Sequence, residues 1–519
     1  MELSVLFTTS RSAALKLFDG GTYHTRRPYR VSLNGAEPVL ADRTITSLYN
    51  LKPDTCYEAV VLDGSEQVGA VAFRTQKETV SLDVRRFGAA GDGVHDDTAA
   101  IQAAINCCPA GGRVRIPRGN YCITPLFLKS HITIELQQGA RLMLCPDRSR
   151  FPSLPGVTFA PEEDFLLGSW EGNPLDCFAS ALTGVDVEDV RIIGTGVVDG
   201  QAQLGDWWQN PKLRRGAWRP RLLFLCRCRQ ITVQGLTFCN SPAWNLHPYF
   251  SQNLIFADLA INAPASSPNT DGFDPESCRQ VTVAGVHFSV GDDCIAIKSG
   301  KIYMGARYRT PCEDIDISHC LMEDGHGGVT AGSECAGGIK DVRVRYCLMR
   351  NTDRGLRVKT RRGRGENAVI DGIVFDHVKM RRVGAPFVVN CLYFCDPDGH
   401  SAYVQSREAQ PVDHRTPRIG RIAFRNVDAQ DCGACAGYFL GLPERPIQSI
   451  LLENCVFTYA PDAKPFVPAM ADGVAECLHQ GLIIRYAGQV TLRNVCLTGQ
   501  QGERLTAEQV ESITWEDEA

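Results

Sequence analysis

Four short motifs carry the side chains in this sequence best suited to acid–base chemistry on an anionic ligand: Asn269-Thr270-Asp271, Gly291-Asp292-Asp293, Gly325-His326-Gly327-Gly328 and Arg357-Val358-Lys359. Three aspartates brought together repel one another, so one keeps its proton near neutral pH while another stays ionised. Hydrolysis of a glycosidic bond needs that division: an acid for the leaving oxygen, and a base for water or a nucleophile in its place. Arg357 and Lys359 are two residues apart, hence on one face of a strand, with Val358 turned into the core. A guanidinium fork beside an ammonium can hold a carboxylate. His326 can orient or tune the acid. Asp292 and Asp293 are adjacent, so a regular strand would point them oppositely, and a bend at Gly291 is needed for both to face one cleft. Each motif alone has a plainer explanation. Asp-Asp pairs and Gly-His-Gly turns arise by chance, and Arg-x-Lys is ordinarily a solvated face.

The spacing of the motifs ties them together. Asp271 to Asp292 is 21 residues, Asp293 to His326 is 33, and His326 to Arg357 is 31. Short apolar-alternating strands recur at the same irregular period, with Ile231, Leu254, Val281, Ile315 and Val342 at intervals of 23, 27, 34 and 27 residues. Further copies follow around Ile373, Ile422, Ile450 and Val490. Strands at such a period with no helices between them describe a solenoid. Each is followed by a polar step and a second strand, which fits the coils of a parallel β-helix better than propeller blades. The motifs then stack on successive rungs of one face, about 4.8 Å apart. A helix starting at Asp96-Asp97-Thr98, with Ile101, Ala104 and Ile105 on its apolar face, would plug the open end of the solenoid.

The chain of 519 residues is too long for one ordinary compact domain. Residues 1–77 alternate in short runs separated by Asn34-Gly35 and Asp63-Gly64, the pattern of a small antiparallel sandwich. Residues 78–82 read as a polar linker and 83–519 as the β-helix, so the fold class is all-β: a right-handed parallel β-helix behind a small β-sandwich. The net charge of −5 and the lack of a basic stripe argue against a nucleic-acid partner. No stretch approaches a membrane span. The 22 cysteines sit mostly in apolar strand-like runs and read as buried reduced thiols. Cys432-Gly433-Ala434-Cys435 has the spacing of half a zinc site or a redox pair but no matching second pair. Neither a metal nor a cofactor is expected.

Residues 83 to about 500 resemble the polygalacturonases, pectin-hydrolysing β-helix glycosidases. The resemblance rests on Phe87-Gly88-Ala89-Ala90-Gly91-Asp92-Gly93 with Asp96-Asp97-Thr98, on Ser267-Pro268-Asn269-Thr270-Asp271-Gly272, and on the run from Gly291 to Gly300. It implies an inverting hydrolase of α-1,4-linked galacturonides. Asp292 matches the general acid, Asp271 and Asp293 the pair that holds and deprotonates water, and His326 the histidine assisting the acid. Arg357 and Lys359 match the substrate-carboxylate binders. Asn269 falls in the matched run as a substrate contact, and Tyr393 matches a subsite tyrosine. Val358 departs from the isoleucine common in the family, on the core side. Leu51-Lys52-Pro53-Asp54-Thr55-Cys56-Tyr57 is similar to a segment of fibronectin type III domains in which the tyrosine packs at a corner.

Two other readings stand beside this one. A pectate-lyase-like eliminase would need calcium ligands and a basic proton abstractor. A non-catalytic polysaccharide-binding β-helix would keep the Arg357–Lys359 pair without needing the aspartates. The ligand in every case is a galacturonide oligosaccharide or polysaccharide, and the sequence leaves the oligomeric state open. With no export signal visible and many free thiols, the expectation is a cytoplasmic enzyme acting on chain ends. Two segments interrupt the period, Phe151 to Asp176 with Trp170, and Gly200 to Pro220 with Trp207, Trp208 and Trp218. Their tryptophans either wall off one end of the groove or pack the loops against the sandwich. Arg214, Arg215, Arg219 and Arg221 would add carboxylate contacts there. Inversion predicts carboxyl groups about 6.5–9.5 Å apart across the cleft.

Overall fold

A computed structural model describes residues 1–159 and 164–516. Residues 160–163, in the first expected loop, and 517–519, at the end of the expected β-helix, lie outside the described residues. The N-terminal unit is an antiparallel sandwich. One sheet holds Glu2–Thr8, Ala13–Phe18 and Ile45–Leu48; the other holds Val39–Arg43, His24–Leu33, Cys56–Asp63 and Glu66–Arg74. Alternation places Leu15, Leu17, Val31, Ala59 and Val61 in the core between them. Tyr57 stacks on Phe73, and its hydroxyl accepts a hydrogen bond from the Lys52 backbone N–H at 2.8 Å.

The rest of the chain is a parallel β-helix, beginning with the strand Ser81–Asp83 against Gly112–Ile116. Strand follows strand in parallel register, and the residues that marked the repeat form one column. Ile231, Leu254, Val281, Ile315, Val342, Ile373, Ile422, Ile450 and Val490 are successive Cα partners. All nine are buried. An apolar side chain of similar volume at each level fills the axis of the solenoid with no gap between rungs. The helix Thr98–Cys107 covers the first rung with Ile101, Ala104 and Ile105 buried, as their spacing predicts. The Asp97 side chain does not cap it; its carboxylate accepts instead from the backbone N–H groups of Ala90 and Gly91, tying the preceding loop to the helix start.

The sandwich lies on the turns of the β-helix. Ser12 Oγ donates to Gln234 Oε1 at 2.6 Å, Arg43 pairs with Asp258 at 2.5 Å, and the Phe18 ring meets His319 and Tyr346 edge-on. The cysteines are free, and Cys432 and Cys435 are both buried among core residues. No helix among the described residues is long and apolar enough to cross a membrane.

Candidate active site

The site is built on a third column of short strands, Ile295–Ile297, Val329–Gly332, Arg354–Lys359 and Ala385–Asn390, paired in that order. The chain enters each through a turn, and those turns carry the polar groups. Asp271 precedes Phe273, which pairs with Ile295. Asp292 and Asp293 precede Ile295, and His326 precedes Val329. At Gly291 a Cβ would stand 2.5 Å from the carbonyl oxygen of Ser267. Only glycine permits that approach, and the bent chain turns both following carboxylates into one cluster. One carboxylate oxygen from each of Asp271, Asp292 and Asp293 lies within 4.8 Å of the others. This is tighter than the expected 6.5–9.5 Å. Asp271 enters the rung next to the one that Asp292 and Asp293 enter, and rungs about 4.8 Å apart allow carboxylates this close.

Charge is divided unevenly within the cluster. Arg357 Nη1 donates to Asp293 Oδ1 at 3.0 Å and Lys359 Nζ to Oδ2 at 2.8 Å, with both cations and the carboxylate buried. Burial alone would raise the Asp293 carboxyl, but Lys359 and Arg357 overcome it and hold the group well below the usual carboxylate range. Burial and the neighbouring Asp292 push Asp271 well above that range. The cluster therefore pairs an anion with a proton donor. Asp292 is the half-exposed member, and His326 Nδ1 stands 3.4 Å from its Oδ1. That contact raises the imidazole above its ordinary value against the opposing effect of burial. Among the described residues, no other group of histidine, cysteine, aspartate and glutamate is close enough to hold a metal ion. Two cations already neutralise Asp293, which disfavours a third.

The cluster opens into a cavity of about 790 Å³, lined also by Asn269, Tyr393 and Met470. Asn269 spends its side-chain oxygen on Arg219 at 2.6 Å. Lys359 Nζ sits 5.7 Å from the centre of the Tyr393 ring. Of the residues expected from the motifs, Asp271, Asp292, His326, Arg357, Lys359, Asn269 and Tyr393 line this cavity, and Asp293 is buried against Arg357 and Lys359. The sequence reading missed Lys298, Glu334, Trp244 and Arg354. Lys298 is buried 3.1 Å from Glu334 and 3.6 Å from Asp274. Burial would discharge it, but Glu334 and Asp274 keep it firmly ammonium. It stood inside the run from Gly291 to Gly300, one residue past the strand Ile295–Ile297, where strand alternation could have shown it.

The loop tryptophans divide. Trp170 and Trp218 stack at 4.8 Å, and Trp170 lies over Trp244 at 6.2 Å, forming one wall of the cavity. Trp207 is buried against Phe151, Phe178 and Arg148, away from the sandwich, and the Trp208 Nε1–H donates to the Ser241 carbonyl. The arginines do not serve as expected. Arg214 and Arg215 pair with Asp176 and Asp206 on the loop surface. Arg219 and Arg221 are buried behind the wall, with Arg221 over the rings of Trp170 and Trp244. They brace the indoles and hold backbone carbonyls, which leaves neither for a ligand.

A parallel β-helix with acids, a histidine and paired cations on one face defines a class of carbohydrate-active proteins, and similarity to known proteins narrows it. Residues 142–407 match glycosyl hydrolases family 28, and residues 81–135 match the rhamnogalacturonase A/epimerase, pectate lyase-like family. A probable polygalacturonase of Vitis vinifera is 30% identical over 83% of this chain and 84% of its own length. An endo-polygalacturonase of Pectobacterium parmentieri is 30% identical over 57% of this chain and 72% of its own. The family 28 exopolygalacturonase of Yersinia enterocolitica shares the fold, with a TM-score of 0.70 at 20% identity over 98% of each chain. The chain belongs to glycosyl hydrolases family 28.

Proposed function

We propose that this chain hydrolyses α-1,4-galacturonosyl linkages of pectin-derived galacturonides with inversion, acting on chain ends. The observation that carries the reading is the clamp of Arg357 and Lys359 on Asp293 beside Asp271 and Asp292. An ionised base, a buried proton and a solvent-facing acid stand within a single contact distance there. Two acceptors up to 4.8 Å apart are bridged by one water donating to each at ordinary hydrogen-bond length. Asp271 and Asp293 hold that water between them, and Asp293, the ionised member, takes its proton as it attacks the anomeric carbon. Asp292, open to the cleft, gives its proton to the leaving oxygen, and His326 beside it steadies the carboxylate that results. Lys359, Arg357 and Lys298 offset the negative charge that a uronate brings to an already acidic site.

The tryptophan wall supports exo-action, because it closes on one side a groove that a polymer would otherwise run through. Strand order in the sandwich supports a fibronectin type III-like unit, and free thiols throughout the chain support a reducing, cytoplasmic setting. Reducing-sugar release from polygalacturonate, compared between wild type and Asp292→Asn, tests the hydrolytic reading. Appearance of an absorbing unsaturated product would mark an eliminase instead.

A further inference from the structure

Trp170 and Asn173 exchange backbone hydrogen bonds at 2.9 and 3.1 Å, closing a two-residue hairpin whose tip is Glu171-Gly172. Both tip residues have positive φ, 46° and 73°, as a tight mirror-image turn requires. Asparagine or glycine ordinarily fills the first of these places. Glu171 is the only glutamate with positive φ among the described residues, and a strained side chain of the wrong type for its turn points to use elsewhere. The tip is fastened: the Lys301 N–H donates to the Gly172 carbonyl at 2.8 Å, and a Cβ on Gly172 would stand 2.6 Å from the Glu334 side chain. Glu171 lines the catalytic cavity beside Trp170 and Lys301. Of the other acids there, Glu334 has Lys298, Asp396 has Lys301 and Arg364, Asp353 has Arg354 and Asp292 has His326, while Asp271 belongs to the aspartate cluster itself. The Glu171 carboxylate has no hydrogen bond or ion pair with any described residue, while its backbone carbonyl accepts from the Asn173 side-chain amide at 3.4 Å.

An unpartnered carboxylate is a costly thing to place in a cavity meant for a polyanion. Lys301, Lys298 and Lys212 act on it from the same cavity without forming an ion pair with it, a setting that suits a ligand group offering a hydroxyl and no charge. Resting on the exo reading, we propose that Glu171 is the residue that reads the non-reducing end of the substrate. Its carboxylate accepts a hydrogen bond from the 4-hydroxyl, which is free only on a terminal galacturonate. An internal sugar has no proton at that oxygen, and the uronate attached to it would bring a second carboxylate against Glu171. Hydroxyl acceptance selects ends and like-charge repulsion rejects interior segments.

The test compares two trigalacturonides as substrates, one saturated and one with a 4,5-unsaturated non-reducing end, which lacks the 4-hydroxyl. Wild type should favour the saturated trimer in kcat/KM by at least about tenfold. Glu171→Gln and Glu171→Asn, the second suited to the turn, should bring the ratio to within about threefold by lowering the rate on the saturated trimer. Glu171→Asn should also gain rate on long polygalacturonate relative to the trimer. An unchanged ratio in both variants, with unaltered thermal unfolding, overturns the role of Glu171. A wild type that thins polygalacturonate early, before much reducing sugar appears, overturns the exo reading itself, so the two failures are told apart.

Discussion

The Lys359 ammonium stands 2.8 Å from Oδ2 of Asp293, and both groups are buried. Neither would be tolerated there alone, and removing one partner of a buried pair costs about 3–5 kcal/mol through the charge left behind. Lys359→Met should destabilise the fold by about 3 kcal/mol at pH 7, with Arg357 limiting the loss, and should abolish activity. Asp293→Asn in the same chain should restore most of the stability and none of the activity. The sign with pH follows from the depressed carboxyl. Its stabilisation is present above the unfolded value of about 3.9 and is lost as pH falls through the lower folded value. In Lys359→Met the folded value rises, so acid denaturation should set in at higher pH. Denaturant titrations at several pH values between 3 and 7 measure this, and identical acid limbs would contradict it.

His326 offers a second pH handle. Its imidazole is raised above the free value of about 6.5 by the contact with Asp292. A cationic His326 stabilises the carboxylate that Asp292 becomes as the leaving oxygen takes its proton. The basic limb of kcat/KM should therefore lie above pH 6.5, and His326→Gln should lower kcat about 10²-fold and remove that limb. A variant that keeps the limb in place would assign it to another group.

Asp292→Asn keeps the shape of the side chain and removes its proton. Loss of a positioned general acid costs about 10²–10⁴ in rate, so kcat should fall about 10³-fold with KM little changed. Proton NMR of the first product formed by wild type should show the β-anomer from an α-linkage. The closeness of the three carboxylates makes this a sharp question, because spacing near 5 Å otherwise accompanies retention. An α-product would replace the bridging water with a covalent aspartyl intermediate.

Much of this arrangement was legible in the sequence because the β-helix is nearly one-dimensional. Ile231 through Val490 could be aligned by eye, since each rung needs an apolar residue at the same place. The separations between Asp271, Asp292, His326 and Arg357 then became heights along an axis. Lys298 escaped because a buried lysine looks like any other lysine until Glu334 and Asp274 are seen around it, and they come from different rungs. The loop arginines misled for a related reason. Arg219 and Arg221 sit among tryptophans in sequence and in space, yet they face the back of the indoles, a side that spacing in a loop does not encode. The aspartate spacing was overestimated because a two-carboxylate geometry was assumed where neighbouring rungs hold three.

The tryptophan wall yields the last prediction. Trp170 is held between Trp218 and Trp244 with ring planes 5° and 7° apart, and Trp218 is the half-buried member facing the cavity. A sugar ring stacked on it would bury apolar area worth about 1.5–3 kcal/mol. Trp218→Ala should therefore lower kcat/KM on trigalacturonide about tenfold to a hundredfold. Most of the change should fall on KM, since the contact is made in the ground state as much as in the transition state. The variant should also open the closed side of the groove. Wild type should release monomer or dimer from the first minutes with viscosity nearly constant, whereas Trp218→Ala should lose some viscosity at the same extent of hydrolysis. Were the wall merely structural, the variant would unfold more easily while keeping the wild-type KM and product pattern, and the exo reading would lose its main support.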